Sequence, residues 1–323
     1  MAVFTSVSED SLRSLLSQFD LGELTGFEGI SAGIENTNYF VDTSQGRFVL
    51  TLFEKLTAEQ LPFYLELMRH LADHQVACPR PMADRQGKIL HRCEGKPASL
   101  ATRLKGSWPQ HPSPRHCELL GQAMAHAHLA VADYPGIQPN LRGLSWWKQT
   151  VPQLLAHVSH EQAELLKNEL AAQETFHKTE LYSRLPKGAV HADLFRDNVL
   201  FEETPEGPVL GGFIDFYFAG IDTFIFDLAV AANDWCIRHE PNSLGVFDFE
   251  RIRALLEGYQ SVRMQTEEES QAWPMALRAA AYRFWVSRLY DWHMPRAAAM
   301  LTPKDPRHFE QLLRIRREDL DFS

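Results

Sequence analysis

The chain has 323 residues, with 42 acidic side chains against 32 basic ones and a formal net charge of −10. That length suits two domains, or one domain built from two lobes. The acidic balance excludes a nucleic-acid or anionic-membrane surface, because both need clustered Lys and Arg. Hydrophobic residues at 45% and charged residues at 23% are ordinary for a globular protein. No run of apolar residues approaches a membrane span. Glu9 and Asp10 stand early in an N-terminus without an apolar stretch, so no signal peptide is read there and a cytoplasmic protein is expected. Cys78, Cys93, Cys117 and Cys236 form no CxxC pair and suit reduced thiols. His126 and His128 are two apart on a helical stretch and point in different directions, which argues against a zinc site.

In chain order, Leu12, Leu15, Leu16 and Phe19 recur at helical spacing after Ser8, a suitable N-cap. Strand-like segments follow at 24–30, 37–41 and 47–53, joined through Gly33 and the Ser44-Gln45-Gly46 turn. Thr57 and Gln60 have the form of a capping box, and Leu61, Leu65, Met68 and Leu71 carry a helix to about residue 74. Short strands are predicted at 88–91 and 97–104. Residues 1–104 therefore read as an antiparallel sheet with one long helix, an α+β lobe. From 105 to 323 the texture is mostly helical. Ser113-Pro114 marks an N-cap with proline at N1. Helices are expected at 115–132, 145–157, 160–184, 223–239, 249–262, 270–293 and 306–319.

One strand-rich island, residues 189–218, interrupts these helices. It reads HADLFRDNVLF from His191, then IDFYFAG from Ile214. Apolar flanks at Val190, at 199–201 and at 213–216 make the polar stretch 191–198 a loop held between buried strands. Phosphoryl transfer needs a carboxylate to accept the hydroxyl proton and hard oxygen ligands for the metal on the phosphates. Asp193, Asn198 five residues later and Asp215 on the next strand of a hairpin supply all three. Taken singly, each is also what an ordinary turn uses.

These motifs resemble the catalytic and metal-binding loops of the protein-kinase-like superfamily, in its aminoglycoside phosphotransferase and choline kinase branch. GIENTNYFV from Gly33, GRFVLTLFEK from Gly46, FDLAVAANDWC from Phe226 and FWVSRLYD from Phe284 further resemble the homoserine kinases of that branch. The resemblance covers the chain from about residue 3 to 317. It implies a protein-kinase-like bilobal fold, with a small antiparallel sheet lobe at 1–104 and a mostly helical lobe at 105–323. It implies ATP and Mg²⁺ as cofactors, phosphorylation of the homoserine hydroxyl in threonine biosynthesis, small-molecule partners only, and a monomer or homodimer.

Residue by residue, the resemblance makes Asp193 the catalytic carboxylate, with His191 orienting the loop and Arg196 near the transferred phosphate. It makes Asn198 and Asp215 the metal ligands. Gly33, Asn36, Thr37 and Asn38 fall in the phosphate-covering hairpin, and the adenine is expected against the backbone at 99–102, at Ser99 and Ala101. Thr51 stands where the superfamily's third strand carries lysine, and Glu66 is the nearest helical acid. Homoserine carries an ammonium and a carboxylate, so the site should supply an anion and a cation. The helical lobe offers Asp227, Asn233, Asp234 and Trp235 on one helix and Arg283, Arg288, Tyr290 and Asp291 on another. Of these, Asp227, Asp234, Trp235 and Arg288 are the expected substrate contacts; Asp227 and Asp234 are two helical turns apart on one face. Trp146, Trp147, Trp285 and Trp292 read as packing. Choline, methylthioribose or an aminoglycoside remain alternative acceptors, and a non-catalytic kinase-like binding protein remains a third reading.

Overall fold

The computed structural model describes residues 4–31, 36–240, 243–294 and 304–318. The chain divides into two compact units, one of residues 1–105 with 211–214 and the other of 106–210 with 215–323. Among the described residues no helix is long and apolar enough to cross a membrane.

The first unit opens with α1 (Glu9–Leu16), whose N-cap Ser8 accepts a hydrogen bond from the Ser11 N–H. It continues through β1 (Leu24–Gly29), β2 (Thr37–Thr43), β3 (Gly46–Leu52), α2 (Pro62–Asp73), β4 (His91–Cys93) and β5 (Lys96–Thr102). The five strands form one antiparallel sheet in the order β1-β2-β3-β5-β4. Strand parity decides its two faces. Tyr39, Val41, Phe48, Leu50, Leu52 and Leu100 share a core with Leu12, Leu15 and Leu16 of α1. The alternate residues Asn38, Phe40, Val49, Thr51 and Ala101 are only half-buried.

Two boundaries of this unit differ from expectation by more than two residues. Thr57 and Gln60 close a turn of their own, the Thr57 N–H donating to Gln60 Oε1, and α2 starts later with Pro62 in its first turn. β4 lies at 91–93 rather than 88–91, because Asp84 Oδ1 accepts the Lys88 N–H and the backbone pairs only beyond that loop. Residues 211–214 fall in this unit because the Phe213 N–H donates to the Ala77 carbonyl.

The second unit holds α3 (Pro114–Ala130), α4 (Leu144–Leu154), α5 (His160–Phe176), α6 (Glu180–Arg184), β6 (Lys187–Val190), β7 (Val199–Thr204), β8 (Gly207–Phe213), β9 (Gly220–Thr223), α7 (Phe224–Trp235), α8 (Phe249–Gln260), α9 (Glu267–His293) and α10 (Arg307–Glu318). The last residues of β8 already belong to the first unit. The single helix expected over 160–184 is two, since Thr179 caps a new start by accepting the Tyr182 N–H. α7 is buried almost all round, the signature of a central helix. Trp147 and Trp285 are core residues, Trp146 is half-buried and Trp292 is exposed. β6 pairs with β9 and β7 with β8, so the loop between β6 and β7 is clamped at both ends by different sheets.

α3 and α8 approach so closely that glycine is required where they touch. A Cβ on Gly258 would sit 2.2 Å from the Glu118 carbonyl oxygen, and one on Gly121 would sit 2.2 Å from that of Leu255. Backbone cannot give way there as a side-chain tip can. Gly258→Ala is therefore expected to destabilise the protein by about 1–3 kcal/mol, read as a lowered midpoint in thermal or urea unfolding. Gly26→Ala, whose Cβ meets nothing nearer than 3.9 Å, should stay within about 1 kcal/mol of the parent. Equal stability of the two variants would contradict the packing described.

Candidate active site

The loop from His191 to Asn198 is built around one buried carboxylate. Asp227, at the first turn of α7 and 2% exposed, accepts the His191 N–H at 3.3 Å on Oδ2 and the Ala192 N–H at 2.7 Å on Oδ1. Its Oδ2 also lies 3.0 Å from Nε2 of His128 on α3. Burial by itself would raise this carboxyl, but the hydrogen bonds and charge of His128, His191 and the Ala192 amide hold it below the usual range. Behind it, His128 Nδ1 is 2.7 Å from the Tyr259 hydroxyl, which accepts from Arg263, and Arg263 bonds Glu269. A buried charge with this many partners is stable only as a complete set.

The anchor holds a strained backbone. Ala192 has φ +62°, a left-handed conformation that costs an L-residue free energy. Asp215 has the same φ of +62° and sits just past β8, at the start of the 216–218 turn, rather than on the strand as expected. The two strained residues flank one carboxylate, Asp193. Its backbone carbonyl accepts from the Phe195 N–H and from Asn198 Nδ2, and its Oδ2 lies 3.2 Å from the same Nδ2. The amide nitrogen of Asn198 thus holds the loop closed, and its oxygen is the end left for a cation.

Asp193 keeps 13% of its side chain exposed, and its pKa is raised to about 7. Burial is the main cause, with Asp215 and Asp197 adding to it; Arg283, whose Nη1 is 3.6 Å from Asp193 Oδ1, opposes them. Asp193, Asn198 and Asp215 are therefore brought together as the spacing implied. A carboxylate and an amide oxygen are hard donors, and they suit a magnesium-sized cation.

Several expected site residues are placed otherwise. Both oxygens of Asp227 are engaged by the loop and His128, which is an anchoring position and not the open one expected of a substrate contact. Trp235 is fully buried, its Nε1 donating to the Leu194 carbonyl, and it too supports the loop from below. Asp234 and Arg196 answer each other: Asp234 Oδ2 accepts both the Arg196 N–H and Nε, while Arg196 Nη1 donates to the Gln110 carbonyl. The substrate anion and the phosphate-touching cation expected of them are thus paired with each other in this structure. His191 packs its ring 4.6 Å from that of Phe216 and gives its N–H to Asp227, an orienting position. Arg288 is half-buried, its guanidinium over Phe309 and its Nη1 donating to the Asp305 carbonyl.

In the first unit, parity separates neighbours that the sequence places together. Thr37 is fully buried; its hydroxyl accepts the Phe4 and Thr5 N–H groups and donates to Glu54, so it is not a ligand contact. Asn38 and Thr51 share the half-buried face and bond to each other, Thr51 Oγ1 donating to Asn38 Oδ1. Asn36 lies just ahead of β2, and Gly33 lies outside the described residues. Ser99 and Ala101 are paired with Thr51 and Val49 of β3. Leu100 and Thr102 point the other way, bonding Met82 and Arg80. The Leu100 carbonyl and the Thr102 N–H, on the edge expected to face the adenine, are thus paired within the unit, and the chain leaves the sheet only after Thr102. Glu66 pairs with Arg69 on its own helix.

Two site-forming residues escaped the sequence reading. Arg283 appears there only as one of several cations on a helix, and nothing local tells that it lies against Asp193. His128 is legible as a helical histidine, but its partner is 99 residues away.

A sequence profile described as "Phosphotransferase enzyme family" matches residues 26–264. A homoserine kinase of Paraburkholderia xenovorans is 53% identical over 320 residues, 98% of this chain and 96% of the relative. One of Polaromonas naphthalenivorans is 52% identical over 316 residues, 98% of each chain. Among solved structures, the amicoumacin kinase hAmiN in complex with AMP-PNP, Ca²⁺ and Ami superimposes with a TM-score of 0.70 at 15% identity, over 96% of this chain and 92% of that one. A choline kinase from Cryptosporidium parvum gives 0.67 at 14% identity over 97% of each. At such identities these structures speak for the fold alone.

The raised pKa of Asp193 has a consequence for stability. A carboxyl that holds its proton more tightly when folded than when unfolded loses folding free energy as pH rises from the ordinary aspartate value to about 7. Asp193→Asn removes that cost. The variant is expected to be more stable than the parent at pH 8 by about 2–4 kcal/mol, with the gap closing at pH 5. Calorimetry at the two pH values checks this. A variant less stable than the parent at pH 8 would mean that the attraction of Arg283 outweighs burial.

Proposed function

The chain belongs to the phosphotransferase enzyme family and, within it, to the homoserine kinases, and from that membership we propose how its own residues carry the reaction. The reaction transfers a phosphoryl group to the side-chain hydroxyl of L-homoserine, giving O-phospho-L-homoserine. The observation that carries this reading is identity above 50% with homoserine kinases over 98% of the chain, a span that takes in every segment of the catalytic loop. ATP is the donor, and the product serves threonine biosynthesis.

Asp193 is the base. Its raised pKa puts it near neutrality, where a carboxylate both exists in its ionised form and has a real affinity for a proton. In the transfer the homoserine oxygen forms a bond to the γ-phosphorus, the bond from that phosphorus to the bridging oxygen breaks, and ADP leaves. The hydroxyl proton passes to Asp193. Because the transition state is loose, positioning matters more than basicity. Positioning is the task of Asp227, which fixes the strained Ala192 immediately before the base.

The oxygen of Asn198 and the carboxylate of Asp215 would hold Mg²⁺. When bound, that ion neutralises charge on the phosphates of the donor. In the sheet unit, the half-buried face carrying Asn38 and Thr51, and the segment leaving β5 after Thr102, are the surfaces for the nucleotide. Thr51 supplies no charge, and Arg103, whose guanidinium lies 4.9 Å from the Phe40 ring centroid on that same face, is a cation in its neighbourhood. Arg288 remains a proposed contact for the acceptor.

Two measurements test the reading. ADP release measured with homoserine, choline, methylthioribose and kanamycin should favour homoserine by at least about 100-fold in kcat/KM, since a buried polar contact left unmatched is heavily penalised. Comparable efficiency with choline would move the chain to another acceptor. Asp193→Asn should lower kcat by about 10²–10⁴-fold with little change in ATP affinity. Asp215→Ala should abolish turnover and weaken Mg·ATP binding, and unaltered metal titrations would overturn its assignment.

A further inference from the structure

Resting on the reading that homoserine is the acceptor, we propose that Arg283 binds the α-carboxylate of homoserine through the Nε–Nη2 edge of its guanidinium. Arg283 sits on α9 and is 3% exposed. Its Nη1 faces Asp193 Oδ1 at 3.6 Å. Nε and Nη2 are buried and make no hydrogen bond to any described residue. The guanidinium is held between rings, 3.7 Å from the centroid of Phe284 and 5.1 Å from that of Phe218.

A buried donor with no acceptor is costly, and native proteins rarely keep one without a use. Here there are two, adjacent on one guanidinium. They form the edge whose parallel N–H bonds match the two oxygens of a carboxylate. The placement also suits the substrate. Nη1 addresses the residue that takes the hydroxyl proton, and the Nε–Nη2 edge makes no hydrogen bond to any described residue. Of the other cations, Arg196 bonds Asp234 and the Gln110 carbonyl, and Nη1 of Arg288 bonds the Asp305 carbonyl. The edge itself is buried, so a carboxylate reaches it by parting neighbouring side chains. The Phe284 and Phe218 rings fix the plane of the guanidinium, which makes the fork directional.

The test compares L-homoserine with 3-aminopropan-1-ol, which keeps the hydroxyl and amine and lacks the carboxylate. The parent protein should prefer homoserine by about 100-fold or more in kcat/KM. In Arg283→Gln that preference should collapse to within about tenfold, because the efficiency toward homoserine falls much further than that toward the amino alcohol. Arg283→Lys should recover only part of the preference, since an ammonium restores charge without the fork. A proportional fall for both substrates would overturn the proposal and assign Arg283 to the support of Asp193 alone. Should Arg283→Gln fail to fold, ¹⁵N spectra of the parent decide. The Arg283 Nε–H signal, identified by its loss in Arg283→Lys, should shift on adding homoserine and not on adding the amino alcohol. A signal indifferent to homoserine overturns the assignment. A parent inactive on homoserine would instead remove the acceptor reading on which the proposal rests.

Discussion

A single carboxylate on the central helix of the second unit sets the geometry of the 191–198 loop. Asp227 receives two consecutive backbone N–H groups of the catalytic loop, one of them from a residue with φ +62°. Left-handed backbone at alanine does not persist without a partner that over-determines it. Asp227 is such a partner only while ionised, and it remains ionised because His128, tied to Tyr259, faces its other side. The loop geometry thus depends on a chain of side chains from α3, α7 and α8.

The arrangement divides charged residues by task. Asp234 with Arg196, and Trp235 with the Leu194 carbonyl, secure the loop from outside its turn. Asp193 bonds Asn198, and the nearby charges of Asp215 and Asp197 push its carboxyl up while Arg283 opposes them. Arg283 is a buried cation whose Nε and Nη2 make no hydrogen bond among the described residues. The sheet unit makes a comparable division by strand parity: its odd-numbered β2 residues enter the core under α1, and Asn38 and Phe40 face the other way with Thr51 and Val49.

Much of this was legible in the residues. Ser8 and the Ser113-Pro114 pair marked helix starts because capping is local chemistry, and apolar alternation marked β2 and β3 for the same reason. The Asp193, Asn198 and Asp215 set was legible because its spacing is short and its flanks are strands. What was not legible depends on distant contacts. Asp227 and Asp234 do lie on one face of a helix, but α7 is buried all round, so a shared face does not mean a shared pocket. Thr37 and Asn38 are neighbours in sequence and opposites in the sheet. The backbone at 99–102 looked available until residues 80–82 were seen to cover its second edge. Arg283 is one arginine among several until the fold sets it against Asp193.

The claim that the Asp227 carboxylate holds the catalytic loop is tested most directly by the turnover of Asp227→Asn, measured per mole of folded protein. Asparagine keeps the shape, loses the charge that His128 faces, and offers one acceptor oxygen where two are used. A displacement of Asp193 by about 1 Å is enough to cost about 100-fold in rate. The account therefore predicts a fall in kcat of at least that size, with ATP affinity little changed. Turnover within about threefold of the parent would contradict it, and would mean that the loop holds its strained backbone without the anchor.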